Sequence, residues 1–402
     1  MSQPKISVRN LTKIFGKSPQ QALKMLENGK SKQGILRETG MTVGVNNANF
    51  DVYPGEIFVI MGLSGSGKST LVRMLNRLIE PTGGDVYIDG INIVRLSPAE
   101  LREIRRKKLG MVFQQFALFP HRTVLKNVEY GLEVKGTGKA ERREKALEAL
   151  EQVGLAGYEN SYPKELSGGM QQRVGLARAL ANDPDILLMD EAFSALDPLI
   201  RKDMQNELID LQDKLKKTIV FITHDLNEAL RIGDRIALMK DGSIVQIGTA
   251  EEILTNPAND YVERFIEDVD FSKVLTAGHI MKRPEYIRID RGPRVALQIM
   301  KDAGISSVYI VDKKQTLLGA ITAQDAMDAA RKGQTLEEAM TRELITVSPD
   351  TLIEDLLEKT ANAVIPVAVV DDERRLKGII VRGAVLAALS GRGVQLNGNE
   401  EE

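Results

Sequence analysis

IFVIMGLSGSGKST, residues 57 to 70, sets five apolar residues directly before a loop of glycines and serines that closes on Gly67, Lys68, Ser69 and Thr70. From Gly62 to Ser69 the loop fits G-x-x-x-x-G-K-[ST], and LVRMLNRLI after it is compatible with a helix. A strand, a glycine loop and a helix in that order make a phosphate cradle. The glycines let successive N–H groups curl around the anion, and the positive end of the helix adds to the attraction. Gly62, Leu63, Ser64, Gly65, Ser66, Gly67, Lys68, Ser69 and Thr70 are therefore the expected ATP contacts. Lys68 brings a positive charge to the β- and γ-phosphates, and the Ser69 hydroxyl is an expected Mg2+ ligand. A glycine-rich turn without a ligand is the plain alternative, and Gly67-Lys68-Ser69 in this setting gives it little weight.

Outward from this stretch, GMVF (110–113), ILLM (186–189), TIVFI (218–222) and RIALM (235–239) are further short apolar runs separated by helix-length segments. Such runs predict a mostly parallel sheet buried on both faces. Near the start, Ile6 and Val8, then Ala48, Phe50 and Val52, alternate with polar residues and predict half-exposed antiparallel strands. The fold class is α/β with an added β layer. Between those strands lies an insertion of about 17–43, in which Ser18 and Pro19 start a helix, Ala22, Met25 and Leu26 share a face, and Gly29 stops it. It reads as a surface helical insertion, with partner docking as the other reading.

The 402 residues suggest two or three folded units at roughly 150 residues per domain. Lys and Arg total 54 against 56 Asp and Glu, so no basic field marks nucleic acid as a partner. The absence of cysteine excludes disulfides, thiolate catalysis and sulfur-bound zinc. MSQPKISVRN lacks the pattern of a secretory signal, and no apolar run approaches the ~20 residues of a membrane helix. The chain is expected to stay in the cytosol, and if it acts on a membrane process other subunits must supply the spanning part.

Beyond about residue 270 the sequence repeats itself. SVYIVDKKQTLLGAIT (307–322) aligns with PVAVVDDERRLKGIIV (366–381), and Met281 with Met340, at a constant offset of 59. The expected organisation is a nucleotide-binding domain over 1–268, repeat one over 269–337, repeat two over 338–394 and an acidic tail over 395–402.

ILLMDE (186–191) adds the chemistry that a phosphate loop needs. A buried strand delivers Asp190 to the crevice at the carboxyl end of the sheet, where it holds Mg2+ through water, and sets Glu191 as general base for an attacking water. His224, in FITHDLNEAL (221–230), emerges at the same end and is expected to contact the γ-phosphate. Gln114, at the end of GMVF, can orient water or Mg2+. The remaining question is LSGGMQQR (166–173), a second glycine pair in a chain already equipped with a phosphate loop.

Taken together, the phosphate loop, the glutamine loop VFQQFALFPHRTV (112–124), LSGGMQQR, ILLMDE, SALD (194–197) and the His224 segment resemble, in order, the ATPase subunits of ATP-binding cassette (ABC) transporters. The resemblance covers roughly residues 6 to 255. It is narrower still for the ATPase subunits of bacterial glycine betaine/proline betaine importers, which share the early helical insertion, the wording of ILLMDEAFSALDPLIR and the paired C-terminal repeat. That repeat resembles tandem cystathionine-β-synthase (CBS) modules.

The resemblance implies a homodimer in which Ser167, Gly168, Gly169 and Gln172 of one copy contact ATP held by the other, with Asp197 in the loop that communicates across the dimer. It implies that Phe15 stacks on adenine, and that Gln114 and FALFPHRTV meet a membrane permease served by an extracytoplasmic substrate-binding protein. The implied reaction is ATP hydrolysis with Mg2+, coupled to import of a compatible solute in osmoprotection. Carnitine or choline remain alternative solutes, and a soluble ABC ATPase of DNA repair or translation remains an alternative class.

For the CBS pair, the G-x-x-[ST]-x-x-D pattern gives Gly319, Thr322 and Asp325 as a candidate regulatory nucleotide site, cyclic di-AMP being one candidate ligand. The second repeat departs from the pattern at Val381 and Ala384. A regulatory role and a purely dimerising one both follow from the resemblance.

Overall fold

The computed structural model describes residues 3–114, 116–267, 272, 275–361 and 363–389, with the side chain of Asp213 excepted. The chain divides into two units, residues 1–266 and 267–402. The expected 268/269 boundary and the tail over 395–402 lie outside the described residues.

Unit 1 begins on β1 (Ile6–Phe15), leaves it through α1 (Pro19–Glu27) and α2 (Lys32–Thr39), and returns antiparallel as β2 (Thr42–Val52). β3 (Ile57–Met61) runs into the phosphate loop and α3 (Lys68–Leu75) runs out of it. β4 (Gly83–Ile88) and β5 (Ile91–Asn92) then complete a four-stranded sheet in the order β2-β1-β4-β5. α4 (Pro98–Lys108) leads to β6 (Leu109–Val112), and three helices follow: α5 (Val124–Lys135), α6 (Lys139–Gln152) and α7 (Gly168–Leu180). Then come β7 (Ile186–Asp190), α8 (Pro198–Leu215), β8 (Thr218–Thr223), α9 (Leu226–Ile232), β9 (Arg235–Lys240), β10 (Ser243–Gly248), α10 (Ala250–Thr255) and α11 (Asp260–Ile266).

The second sheet has six strands in the order β10-β9-β3-β8-β7-β6, all parallel except β10, which pairs antiparallel with β9. Every residue of β3, β7 and β8 is buried, which is why these strands read as unbroken apolar runs. Phe58, Ile60, Leu188, Val220 and Ile222 share one core with Ile6, Val8 and Leu11 of β1 and Leu71 and Leu75 of α3. Phe50 stacks on Phe58 at 5.2 Å. At about 1.5–3 kcal/mol for each large apolar side chain, this double-sided burial fixes the sheet and with it the strand ends that carry the site.

The insertion differs from the expectation in its second half. α1 ends by Gly29 as read, but α2 follows it, capped by the Ser31 hydroxyl, which accepts from Gly34 N, and ended by Gly40 at φ +67°. β2 starts at Thr42, so the last residues of the 17–43 span are strand. The insertion also has its own core rather than lying flat on the surface, for Ala22 and Ile35 are fully buried with Ile14, Met41 and Val43.

In unit 2, α12 (Ala277–Ile280), β11 (Tyr286–Arg288), α13 (Pro293–Ala303), β12 (Ser307–Val311), β13 (Leu317–Thr322) and α14 (Ala323–Lys332) form the first repeat. The second follows as α15 (Leu336–Ala339), β14 (Thr346–Val347), α16 (Ile353–Ala361), β15 (Val367–Val370), β16 (Leu376–Ile380) and α17 (Arg382–Leu389). Each repeat has a three-stranded sheet, one parallel and one antiparallel pair. The repeats are joined reciprocally. Lys282, leading into repeat one, bridges Ile379 of repeat two, and Thr341, leading into repeat two, bridges Ala320 of repeat one. These two bridges map onto each other at the offset found in the sequence, so the repeat is also an approximate two-fold symmetry.

Candidate active site

The phosphate loop hangs between the end of β3 and the start of α3. Gly67 turns it at φ +101°, where a Cβ would stand 2.3 Å from the carbonyl oxygen of Gly44, so only glycine fits. The loop exposes Leu63 and buries Ser66 and Lys68. Lys68 Nζ donates to the carbonyls of Gly62 (2.8 Å) and Leu63 (3.2 Å) and lies 3.9 Å from Glu191 Oε1. Burial lowers its pKa, and the Glu191 and Asp190 carboxylates oppose that shift. A cation held against its own loop carbonyls is poised to exchange them for phosphate oxygens.

Asp190 ends β7 at 3% exposure. Its Oδ1 accepts from Ser69 Oγ at 2.8 Å and its Oδ2 from Arg73 Nη2 at 3.2 Å. Arg73 is a site residue that the sequence reading missed. It follows Ser69 by one helical turn, and that spacing is the signal that would have found it.

Glu191 stands at φ +46°, a sparsely populated region for a side chain of this kind. The turn is held by Glu191 N donating to Ile222 O (3.1 Å) and by Ser194 Oγ donating to Glu191 O (2.9 Å). Glu191 Oε2 accepts from Gln114 Nε2 at 3.2 Å and lies 3.4 Å from His224 Nδ1. Gln114 Nε2 also donates to Ser194 Oγ at 3.3 Å, which gives Ser194 a part in placing the glutamine. The structure thus brings Lys68, Ser69, Asp190, Glu191, Gln114 and His224 into one cluster, drawn from four different strand ends.

This donor set fits ATP and Mg2+. Ser69 Oγ, an Asp190 carboxylate oxygen and the Gln114 amide oxygen are hard oxygen ligands of the kind that Mg2+ takes alongside phosphate. Ser66 Oγ is buried with no hydrogen-bond partner, a polar atom left for a ligand to satisfy. Phe15 ends β1 at 41% exposure beside Gly44 and Thr70, and Lys13 Nζ lies 5.1 Å from the ring centroid.

The LSGG segment is placed differently. Ser167 and Gly168 are exposed, and Ser167 Oγ caps α7 by accepting from Met170 N at 3.3 Å. Gly169 is buried, and a Cβ there would meet Ile200 Cγ2 at 2.6 Å. Asp197, also exposed, caps α8 by accepting from Ile200 N at 3.1 Å. Among the described residues no hydrogen bond or ion pair links Ser167, Gly168 or Gly169 to the phosphate loop of the same chain.

Gln172 does not fit its expected role. It is 1% exposed, on the stripe Gly169, Gln172, Leu176 that α7 turns inward, so its amide cannot touch a nucleotide held by a second copy.

In unit 2, Thr322 caps α14 and its Oγ1 donates to Asp325 Oδ2 at 2.6 Å, both residues near the surface. Gly319 is elsewhere engaged, with Thr341 O and Met340 packed so close that a Cβ would lie 2.6 Å from that carbonyl. Of the three expected nucleotide contacts, Gly319 is covered by the lead-in of repeat two.

Comparison with known proteins agrees with this geometry. The ABC transporter family model matches residues 45–194, and the CBS domain model matches 277–332 and 336–391. The chain is 66% identical to the glycine betaine transport ATP-binding protein OpuAA of Bacillus subtilis, over 98% of this chain and 94% of that protein. It is 54% identical to the glycine betaine/proline betaine transport system ATP-binding protein ProV of Escherichia coli, over 97% and 98%. Among solved structures it resembles a dimeric bacterial ABC transporter cassette, MJ0796, with TM-score 0.52 and 40% identity over 61% of this chain and 98% of that one.

Proposed function

The chain belongs to the family of glycine betaine transport ATP-binding proteins, ABC ATPases that carry paired CBS domains, and from that premise we propose how its residues work. It is the ATP-hydrolysing subunit of a glycine betaine importer. Among the described residues no helix is long and apolar enough to cross a membrane. The reading here is a peripheral subunit on the cytoplasmic face, docked to a separate permease that is fed by an extracytoplasmic binding protein.

ATP enters with its β- and γ-phosphates against the N–H groups of residues 62–69, and Lys68 gives up its two carbonyl partners for phosphate oxygens. Ser69, Asp190 and Gln114 would hold Mg2+, which when bound neutralises charge that develops between the β- and γ-phosphates. Glu191 accepts a proton from the attacking water as its oxygen bonds to the γ-phosphorus and the bond to the β-phosphate oxygen breaks. Gln114 and His224 flank that carboxylate and fix the water's direction of approach. Ser167 and Gly168 of a second copy cap the γ-phosphate, with the buried Gly169 behind them packing their turn against Ile200, so two copies arranged head to tail close two sites. The observation that carries this reading is the Glu191 carboxylate held between Gln114 Nε2 (3.2 Å), His224 Nδ1 (3.4 Å) and Lys68 Nζ (3.9 Å).

Glu191→Gln tests it. ATP binding is expected to persist while turnover falls by about 10²- to 10⁴-fold, the span usual for a general base. Normal turnover in that variant would remove Glu191 from the role. Uptake of labelled glycine betaine into ATP-loaded vesicles holding the permease tests the coupling. The CBS pair is read as regulatory, with an adenine nucleotide such as cyclic di-AMP as candidate ligand at Thr322 and Asp325. Deleting it is expected to change the response to salt or to that nucleotide and to leave transport itself intact.

A further inference from the structure

Residues 16–41 take no part in the steps above, yet they join two residues that face each other in a ladder, since Phe15 of β1 pairs with Thr42 of β2. A connection of that length leaves a strand end free to fray unless something else fastens it. The insertion supplies the fastening. Ile35 and Ala22 are fully buried and pack, with Met41, on Ile14 and Val43, the neighbours of the Phe15–Thr42 pair. Gln20 Nε2 donates to Thr82 O at 3.1 Å, and Thr82 Oγ1 in turn accepts from Ile14 N at 2.9 Å.

The chain leaves the strand at Gly16, at φ +145°, where a Cβ would stand 2.4 Å from Met41 Cγ. The end of the insertion is therefore folded straight back onto its beginning. On the other side the Phe15 ring rests on Gly44, where a Cβ would lie 2.7 Å from Phe15 Cε2 and 3.5 Å from the Thr70 methyl. The carbonyl of that same Gly44 abuts Gly67 of the phosphate loop. One glycine thus spaces the aromatic ring from the phosphate cradle, and the insertion holds the ring against it.

We propose that the helical insertion is a specificity-determining buttress: through Ile35 and Met41 it clamps the end of β1, so that the Phe15 ring stays at a fixed distance from the phosphate loop and stacks a purine base. This rests on reading Phe15 as the base platform, and it gives the insertion a role in nucleotide affinity rather than in partner docking. Because stacking scales with the base face and not with the phosphates, the effect belongs to ATP and not to its phosphate tail.

The test uses the full-length chain and measures binding of ATP, UTP and inorganic tripolyphosphate to the parent, Phe15→Ala, Ile35→Ala and the double variant. Ile35→Ala and Phe15→Ala are each expected to weaken ATP binding about tenfold, UTP binding less, and tripolyphosphate binding not at all. The double variant should be no weaker than Phe15→Ala alone, because both changes remove one stack. Leu36→Ser, on the exposed side of α2, should bind as the parent does.

Should Ile35→Ala fail to fold, Met41→Ala at the edge of the same small core carries the same expectations. Additive losses in the double variant would overturn the inference, as would equal weakening of tripolyphosphate or unchanged ATP affinity in Ile35→Ala. Lost permease association at normal ATP affinity would do so too, in favour of docking. A Phe15→Ala chain that binds ATP normally would instead bring down the platform reading, and the inference with it.

Discussion

Unit 1 starts two helices at glycine-bearing turns, α3 behind Gly67 and α7 on Gly168 and Gly169, and the two starts are opposites. α3 begins at Gly67, which offers no side-chain cap, so its first N–H groups are left for a ligand; its first residue, Lys68, is buried against its own loop. α7 begins at Ser167, whose hydroxyl already caps the helix, and Ser167 and Gly168 face solvent beside an exposed Asp197. The first start is surrounded by Asp190, Glu191, Gln114 and His224 of the same chain, while among the described residues no hydrogen bond joins the second to any of them. A helix start surrounded by such side chains reads as a site, and the one without them is proposed as the half that a second copy supplies. On the proposed reading, this difference makes the dimer a requirement of the chemistry.

The largest effect that could break this contrast comes from changing each start separately. Lys68→Ala should abolish ATP binding and lower turnover by about 10²-fold or more, the scale seen when one preorganised donor to developing charge is removed. Ser167→Ala should leave ATP binding by the single chain intact and lower turnover by removing the hydroxyl offered to the ATP of the other copy. Mixing the two variants then restores one composite site, with Lys68 from one copy and Ser167 from the other. ATPase activity of the mixture that rises above neither variant alone would refute the shared site.

A smaller effect sharpens the second start. Gly169→Ala puts a methyl 2.6 Å from Ile200 Cγ2, where α7 meets the first turn of α8. An overpacked contact of this kind costs about 1–3 kcal/mol, and here it also displaces the exposed Ser167–Gly168 turn. Thermal melting should show the loss, and Ile200→Ala in the same chain should recover much of it. A Gly169→Ala chain as stable and active as the parent would mean that the tight packing of this glycine has no consequence.

How much of this could be read in the sequence follows from where the signal lies. The buried strands were legible because both faces are covered, so IFVIM, ILLM and TIVFI carry no alternation. The residues proposed as catalytic were legible as a cluster because the chemistry demands particular types at strand ends. What escaped depended on phase or on distant partners. Gln172 sits beside the glycine pair in the sequence, but helical rotation carries it inward. Arg73 looks like any surface arginine until β7 brings Asp190 to it. α2 is an eight-residue helix framed by Ser31 and Gly40, too short to show a period. β4 and β5 escaped because Gly83 and Gly84 interrupt the run before VYI. In unit 2, Gly319 fits a nucleotide pattern, yet its neighbour in space is Thr341, which only the reciprocal packing of the repeats reveals.

The smallest expected effect concerns the link between the two starts. α8 begins just after the exposed Asp197 and α9 begins just after His224, and a polar seam joins them. Gln205 Nε2 donates to Glu228 Oε1 at 3.0 Å, Arg231 Nη2 to Asn206 Oδ1 at 2.6 Å, and Arg201 Nη1 lies 3.6 Å from Asp225 Oδ2. Glu228 is 7% exposed. Burial raises its pKa above the usual 4.5, against hydrogen bonds from Thr223 and Gln205 and the charge of Arg201, while Asp225 adds to the rise. The folded chain therefore holds this proton more tightly than the unfolded chain. Stability falls as pH climbs from the unfolded value through the raised one, and the cost of the buried charge is absent below that window. Glu228→Gln removes the charge and keeps an acceptor for Gln205. Its melting temperature should match the parent near pH 4.5 and exceed it by about 2–4 °C at pH 8. A gap that stays flat across that range would mean that burial does not raise the proton affinity of this carboxylate, and that packing alone joins α8 to the helix after His224.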